Sequence, residues 1–326
     1  GLVAAAAFAT PGGDTPPRPA PAPAPAPRLV DPFPKGPNQL FFYWGDRFYR
    51  CDPDGRNGRV VSHPACHDLH SHSCSLSPDG TKVAYVLNID NRDNEVYKLF
   101  VLAADGWGPA IDLGDGRATL AFCWSGDGAA VVVMSDDPNV EPNGKADIRH
   151  EVIDVATGRR TRLAIPPDHY LIDWSRDGER FLTAQLDAKD DTLTDICLLV
   201  MNRNGKLYRE IRRPAKMQPG GVGRLSPDGQ RVLYDAYSKT DRDRSTVLLV
   251  CDLASGDSTP VAGIPPGGDV SRCCWSPDGR RIAYTWGARQ VKERHVIVCD
   301  PDGRNRAVVA TERSARNGSF GAIDWR

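Results

Sequence analysis

Four histidines crowd into one short stretch, SHPACHDLHSHSC at residues 62–74, where His63, His67, His70 and His72 stand beside Cys66. Imidazole nitrogen and thiolate at this density are ligand types that take zinc or another divalent transition metal. The Cys66-x3-His70 spacing matches no zinc finger and no partner run completes one, so the stretch also reads as a solvated polar loop. Two acidic stretches offer oxygen ligands instead: Asp90, Asn91, Asp93, Asn94 and Glu95, then Asp187, Asp190, Asp191 and Asp195. Neither has the glycine and glutamate spacing of an EF-hand, which favours solvated acidic loops over calcium sites. Which of these groups can act together depends on the elements that carry them.

Those elements come from a repeat. SLSPDG, CWSGDG, DWSRDG, RLSPDG and CWSPDG place a serine at Ser77, Ser125, Ser175, Ser226 and Ser276, at intervals of 48, 50, 51 and 50 residues. A constant period of this size means one supersecondary unit repeated along the chain. Each phrase leads into an apolar run such as KVAYVL or RVLYD, short and rich in β-branched and aromatic residues, hence a strand. In Ser-Pro-Asp-Gly, Pro78 presets the first corner, Asp79 can bond back to the main chain and Gly80 accepts a left-handed conformation, so the phrase is the hairpin between strands one and two.

A second ladder of turn glycines, Gly55, Gly106, Gly158, Gly205, Gly256 and Gly303, joins strands three and four of the same unit. There are six of these and only five of the first hairpin, because the earliest unit (residues 39–61) lacks its opening strand. That strand is found at the other end: Trp124, Trp174 and Trp275 each precede the repeated serine, and Trp325 in GAIDWR follows Trp275 by 50 residues. A C-terminal strand completing the first unit closes a ring and leaves no unpaired blade edge at the junction. The expectation is an all-β, six-bladed β-propeller of four-stranded antiparallel blades.

The Ser-Pro-Asp-Gly turn after an aromatic residue or leucine, followed by an apolar strand, resembles the repeat of TolB-type propellers, with related repeats in the propellers of prolyl-oligopeptidase-like and tricorn proteases. The resemblance covers residues 39–326 and implies a protein-binding propeller of the bacterial cell envelope. It does not extend to the separate N-terminal α/β domain of TolB. Fold does not fix activity, and oligogalacturonate lyases, which hold a metal through histidines in a similar propeller, make a metal-dependent carbohydrate-active enzyme using the histidine-rich loop the alternative. No full ligand set matches theirs residue by residue. A peptidase reading fails, since no G-x-S-x-G elbow is present.

Composition narrows the partners. A net charge of −1 with 25% charged residues supplies no positive field to displace phosphate counterions, which argues against nucleic acid. No apolar stretch reaches the roughly 20 residues of a membrane span. Residues 2–9, LVAAAAFA, end in the small-x-small Ala7-Phe8-Ala9 and read as the tail of a signal peptide or anchor within residues 1–14. A Pro/Ala-rich linker and lead-in occupies residues 15–38, with TPPRPAPAPAPAPR as a stiff extended spacer. The order of leader, tether and propeller predicts an exported, periplasmic or otherwise extracytoplasmic protein, free or tethered to a membrane, with a protein or peptide of the envelope as partner.

Seven of the nine cysteines recur at equivalent blade positions: Cys51 with Cys251 and Cys299, Cys123 with Cys274, Cys74 with Cys273. Whole blades separate them, so they are expected as small buried core residues, with Cys66 and Cys197 outside the pattern. The periodic tryptophans are read as packing between adjacent blades. The residue before each tryptophan, or before its leucine equivalent, is Ser75, Cys123, Asp173, Arg224, Cys274 and Asp324 in ring order, pointing into the central channel. Asp173 and Arg224 belong to neighbouring blades and are predicted to pair, whereas Asp324 must reach water, backbone amides or a cation. These three, with His169 and Tyr170 on the loop before blade four, are the candidate ligand-binding residues. Arg242, Arg244, Arg289, Lys292, Glu293 and Arg294 form a more basic arc facing the acidic loops.

Overall fold

The computed structural model describes residues 38–44, 47–61, 74–88, 97–103, 109–114, 119–136, 148–186, 196–212, 214, 217–238, 246–288, 293–313 and 323–326. The histidine-rich loop, both acidic loops, the leader and linker, and Arg242, Arg244, Arg289 and Lys292 lie outside these residues. Among the described residues every element is a strand, and the strands form six four-stranded antiparallel sheets.

Blade 1 holds β1 (Leu40–Trp44), β2 (Arg47–Cys51) and β3 (Arg59–Val61). Blade 2 is β4 (Cys74–Leu76), β5 (Lys82–Asn88), β6 (Tyr97–Ala103) and β7 (Ile111–Asp112). Blade 3 is β8 (Thr119–Trp124), β9 (Ala130–Asp136), β10 (Ile148–Asp154) and β11 (Arg160–Arg162). Blade 4 is β12 (His169–Trp174), β13 (Arg180–Leu186), β14 (Ile196–Asn202) and β15 (Leu207–Glu210). Blade 5 is β16 (Met217–Leu225), β17 (Arg231–Ser238), β18 (Thr246–Asp252) and β19 (Ser258–Pro260). Blade 6 is β20 (Gly268–Trp275), β21 (Ile282–Ala288), β22 (Glu293–Cys299) and β23 (Ala307–Arg313). The last strand, β24 (Ile323–Trp325), returns to blade 1 and pairs β1 in the register Leu40↔Trp325, Phe41↔Asp324 and Phe42↔Ile323. The expected closure is therefore present, and mutual Gln39–Arg326 main-chain bonds extend it.

The repeated phrase is scaffold chemistry. Ser77 accepts the Lys82 amide on its hydroxyl at 2.9 Å and donates that hydroxyl to Asp79 at 2.5 Å, while Asp79 also accepts the Thr81 amide at 3.0 Å. Gly80 sits at φ +69° to close the turn, in the left-handed region that penalises a Cβ. The same bonds recur at Ser125/Asp127, Ser175/Asp177, Ser226/Asp228 and Ser276/Asp278. Burial works against ionisation of Asp79, yet the Ser77 and Thr81 bonds outweigh it and its carboxyl titrates below the usual range. The five serines are nearly inaccessible, so these Ser–Asp pairs hold turns.

Packing runs between blades. Trp124 packs on Ala84, Val86 and Leu99 of blade 2, Trp174 on Val132 and Met134 of blade 3, Trp275 on Leu233 and Leu248 of blade 5, and Trp325 on Cys274 and Ala283 of blade 6. Flat, large side chains fill the wedge between twisted sheets. Cys51, Cys74, Cys251, Cys273, Cys274 and Cys299 are buried, and burial pushes the thiols of Cys51, Cys273 and Cys299 up to about 12. These are packing residues, as their periodicity predicts.

Candidate functional site

The six innermost strands surround a central channel with a cavity of about 690 Å³, flanked by the Ser-x-Asp-Gly turns at one mouth. All six residues predicted to face it line it: Ser75, Cys123, Asp173, Arg224, Cys274 and Asp324. Each innermost strand has a neighbour on only one side, so its inward N–H groups need another acceptor. That requirement decides what the channel acids do.

Asp324 accepts the Leu76 amide at 3.1 Å and the Ser75 hydroxyl at 3.0 Å, across the seam between blades 1 and 2. The bond to a backbone amide, one of the alternatives open to it, is present. Asp173 does the same across the seam between blades 4 and 5, accepting the Leu225 amide at 2.7 Å. Among the described residues no hydrogen bond or ion pair within 4.0 Å joins it to Arg224, the partner expected from the sequence. The Arg224 guanidinium donates to the carbonyls of Gly223 (2.8 Å) and Ile172 (3.5 Å) instead. The physical reason is the bare inner strand edge, whose amide offers the carboxylate a donor fixed by the backbone. Arg224 still acts on Asp173 through space: desolvation pushes the Asp173 carboxyl up, and the nearby guanidinium works against that shift.

His169 and Tyr170 do not reach the channel. His169 is buried at the start of β12 with Nδ1 3.2 Å from the Thr183 hydroxyl, and Tyr170 packs among apolar side chains of blades 3 to 5. His63, His67, His70 and His72 lie outside the described residues. Among the described residues no three histidine, cysteine, aspartate or glutamate side chains converge as a metal set, and no helix is long and apolar enough to cross a membrane.

Residues that the repeat did not single out also line the channel. Arg50, Arg176, Arg272 and Arg326 join Arg224, and Phe41, Leu120 and Phe122 add apolar surface. Arg176 and Arg326 had a readable signal: Arg176 stands where three of the other turns have proline and one has glycine, and Arg326 stands where the other units have serine.

One further charged group lies behind the wall. Asp235 on β17 is 4% exposed and faces a β-bulge in β16, between Pro219 and Gly223. It accepts the Val222 amide at 2.8 Å, and a Cβ on Gly220 would fall 1.9 Å from its Oδ2, so glycine is required there. Desolvation raises its carboxyl to about 7 despite that bond and the charge of Arg272. The equivalent positions in blades 2, 3, 4 and 6 are Val86, Met134, Ala184 and Thr285, so this acid belongs to one blade alone.

The chain matches no protein-family model and no curated protein sequence. It is similar in structure to TolB from Acinetobacter baumannii, with a TM-score of 0.61 and 15% identity over 88% of this chain and 66% of that protein, slightly under two thirds of its length. A putative TolB from Agrobacterium tumefaciens matches with a TM-score of 0.59 and 16% identity, over 88% of this chain and 92% of that one. The tricorn protease matches with a TM-score of 0.56 and 10% identity, over 91% of this chain and 31% of that protein. The likeness is one of fold: a six-bladed propeller of the kind TolB carries.

Proposed function

We propose that this propeller is a non-catalytic binding module of the cell envelope that receives an extended segment of a protein or peptide at the channel mouth. The observation that carries this reading is the channel itself, a cavity of about 690 Å³ lined both by apolar side chains such as Leu120 and Phe122 and by arginines. A concave, partly apolar site with a few placed polar groups is the general form of a ligand pocket. An extended chain suits it, because its alternating side chains and main-chain groups can meet both kinds of lining. The leader-like N-terminus and the resemblance to TolB-type propellers support an envelope setting.

The test is selection of 12-residue peptides from a random library on the purified protein. A variant with the channel obstructed, Leu120→Trp, is the control; Leu120 is 44% exposed on β8 and lines the cavity. Selected peptides should bind the parent and lose at least about ten-fold in affinity on the obstructed variant, a difference of about 1.4 kcal/mol, at unchanged melting temperature. Peptides that bind both proteins equally would place the site elsewhere.

A further inference from the structure

The charges of the channel wall are unbalanced in a chain whose net charge is −1. Among the described lining residues five arginines stand against three aspartates. The aspartates are engaged: Asp79 holds its turn through Ser77 and Thr81, Asp173 holds the Leu225 amide and Asp324 the Leu76 amide. Of the arginines, Arg50 donates to Gln39 and Arg224 to the Gly223 and Ile172 carbonyls, whereas Arg176 and Arg326 are placed differently. Arg176 is exposed at the mouth, where no described side chain pairs with it. Arg326 reaches Asp324 only at 3.5 Å, and its Nε–H is buried without a hydrogen-bond partner. Buried donors of this kind are rare in native proteins and mark a place where a partner group is expected.

We infer that the channel takes an acidic peptide, with carboxylates seated against Arg176 at the mouth and Arg326 deeper in the wall. This rests on the channel reading above and names the chemistry of its occupant. Guanidinium groups bind carboxylates through paired N–H donors in a geometry that lysine cannot reproduce. The neighbouring apolar lining, with Leu120 exposed and Phe122 partly so, favours a peptide with apolar residues between its acids over an acidic sugar. Sugar recognition draws on exposed aromatic faces, and the four tryptophans among the described channel residues, Trp124, Trp174, Trp275 and Trp325, are buried between blades.

The experiment compares three fluorescent probes on the parent chain: a peptide alternating Asp or Glu with Leu, its Asn/Gln counterpart of equal length, and a trigalacturonate. The acidic peptide should bind at least about ten-fold tighter than its amide counterpart and weaken as salt rises, as charge-steered binding does. Arg176→Gln and Arg326→Gln should each remove much of that preference, with the melting temperature unchanged. Arg176→Asp should reverse the preference towards a Lys-containing peptide, an outcome that misfolding does not produce. Equal affinity for acidic and amide peptides, both blocked by Leu120→Trp, overturns the acidic preference and leaves the channel reading intact. Binding of the sugar but neither peptide overturns the peptide as occupant.

Discussion

The seam between blades 3 and 4 and the seam between blades 5 and 6 are built from the same repeat and held in different ways. At the 5/6 seam the Trp275 indole donates to the Arg224 carbonyl at 3.1 Å, and Arg231 stacks over that indole while donating to the Gly279 carbonyl at 2.9 Å. Lys82 and Arg180 make the corresponding cross-blade bonds to Gly128 and Gly229. At the 3/4 seam the equivalent of those cations is Ala130, and the buried Trp174 indole nitrogen has no partner. Both seams bring a turn glycine of one blade onto the backbone of the blade before it, Gly205 on Ala164 and Gly303 on Ala262, and the 3/4 seam adds a second close approach: a Cβ on Gly126 would fall 1.9 Å from the Arg176 carbonyl oxygen. Buried beside this seam is His150, neither of whose ring nitrogens finds a well-formed hydrogen bond. A repeat thus fixes the fold of each blade while a few side chains set how firmly each pair of blades is joined.

The largest expected effect is on the two tryptophans. Trp275→Ala should cost about 3–5 kcal/mol, the range for a buried aromatic truncated in a core. Trp174→Ala should cost roughly 1 kcal/mol less, since it forfeits no hydrogen bond. Urea denaturation of both variants checks the difference, and equal losses would erase the contrast between the seams.

Acidification should loosen the 3/4 seam next. Burial holds the His150 imidazole down to about 4, with the charges of His169 and Arg162 also acting against its protonation. A pKa depressed on folding means the stability it confers is fully present above the unfolded value of about 6.5 and is lost as pH falls from there towards 4. The loss is on the order of 3 kcal/mol at about 1.4 kcal/mol per unit. Thermal melts of the parent and His150→Gln between pH 7.5 and 4 should diverge in slope, and parallel curves would remove His150 from the account.

Asp235, behind β16 and facing Arg272 of blade 6, has the opposite sign. Its folded pKa is raised to about 7, so its contribution is present below the unfolded value of about 3.8 and is lost as pH rises from there through 7. Asp235→Asn should keep the Val222 bond, remove that pH dependence and gain stability at pH 8 by on the order of 1–2 kcal/mol. An unchanged dependence between pH 4 and 8 would count against it. The smallest effect is a gain: Ala130→Arg should supply the missing cation over Trp174 and stabilise the 3/4 seam by about 0.5 kcal/mol, read as a small upward shift in melting temperature.

Most of the fold was legible because its signals are local and periodic: the Ser-x-Asp-Gly turns, the second glycine ladder and the displaced Trp325 give blade count, strand order and closure. The inward-facing set at the channel followed from the same period. The use of those groups was not legible, since it depends on which inner-edge amides lie opposite them. A pattern with a period of three blades was available, however. The pairs Asp324-Trp325, Ser75-Leu76 and Cys123-Trp124 are answered by Asp173-Trp174, Arg224-Leu225 and Cys274-Trp275. In both halves the aspartate precedes a blade that carries leucine in place of tryptophan, and it is that leucine's amide which the carboxylate holds. Asp235 was hidden in an otherwise apolar strand, and only the bulge of β16 explains its place.

On this proposal Asp173 and Asp324 serve structure while Arg176 and Arg326 serve recognition, and one paired measurement separates the two. Melting temperature and acidic-peptide affinity are read together for Asp173→Asn and Arg176→Gln. Asp173→Asn should lower the melting temperature, because a charge-assisted bond to a buried amide is worth roughly 1.5–3 kcal/mol, and leave affinity within about two-fold, under half a kcal/mol. Arg176→Gln should leave the melting temperature unchanged and weaken the peptide about ten-fold. Loss of affinity in Asp173→Asn with Arg176→Gln binding like the parent would contradict the account.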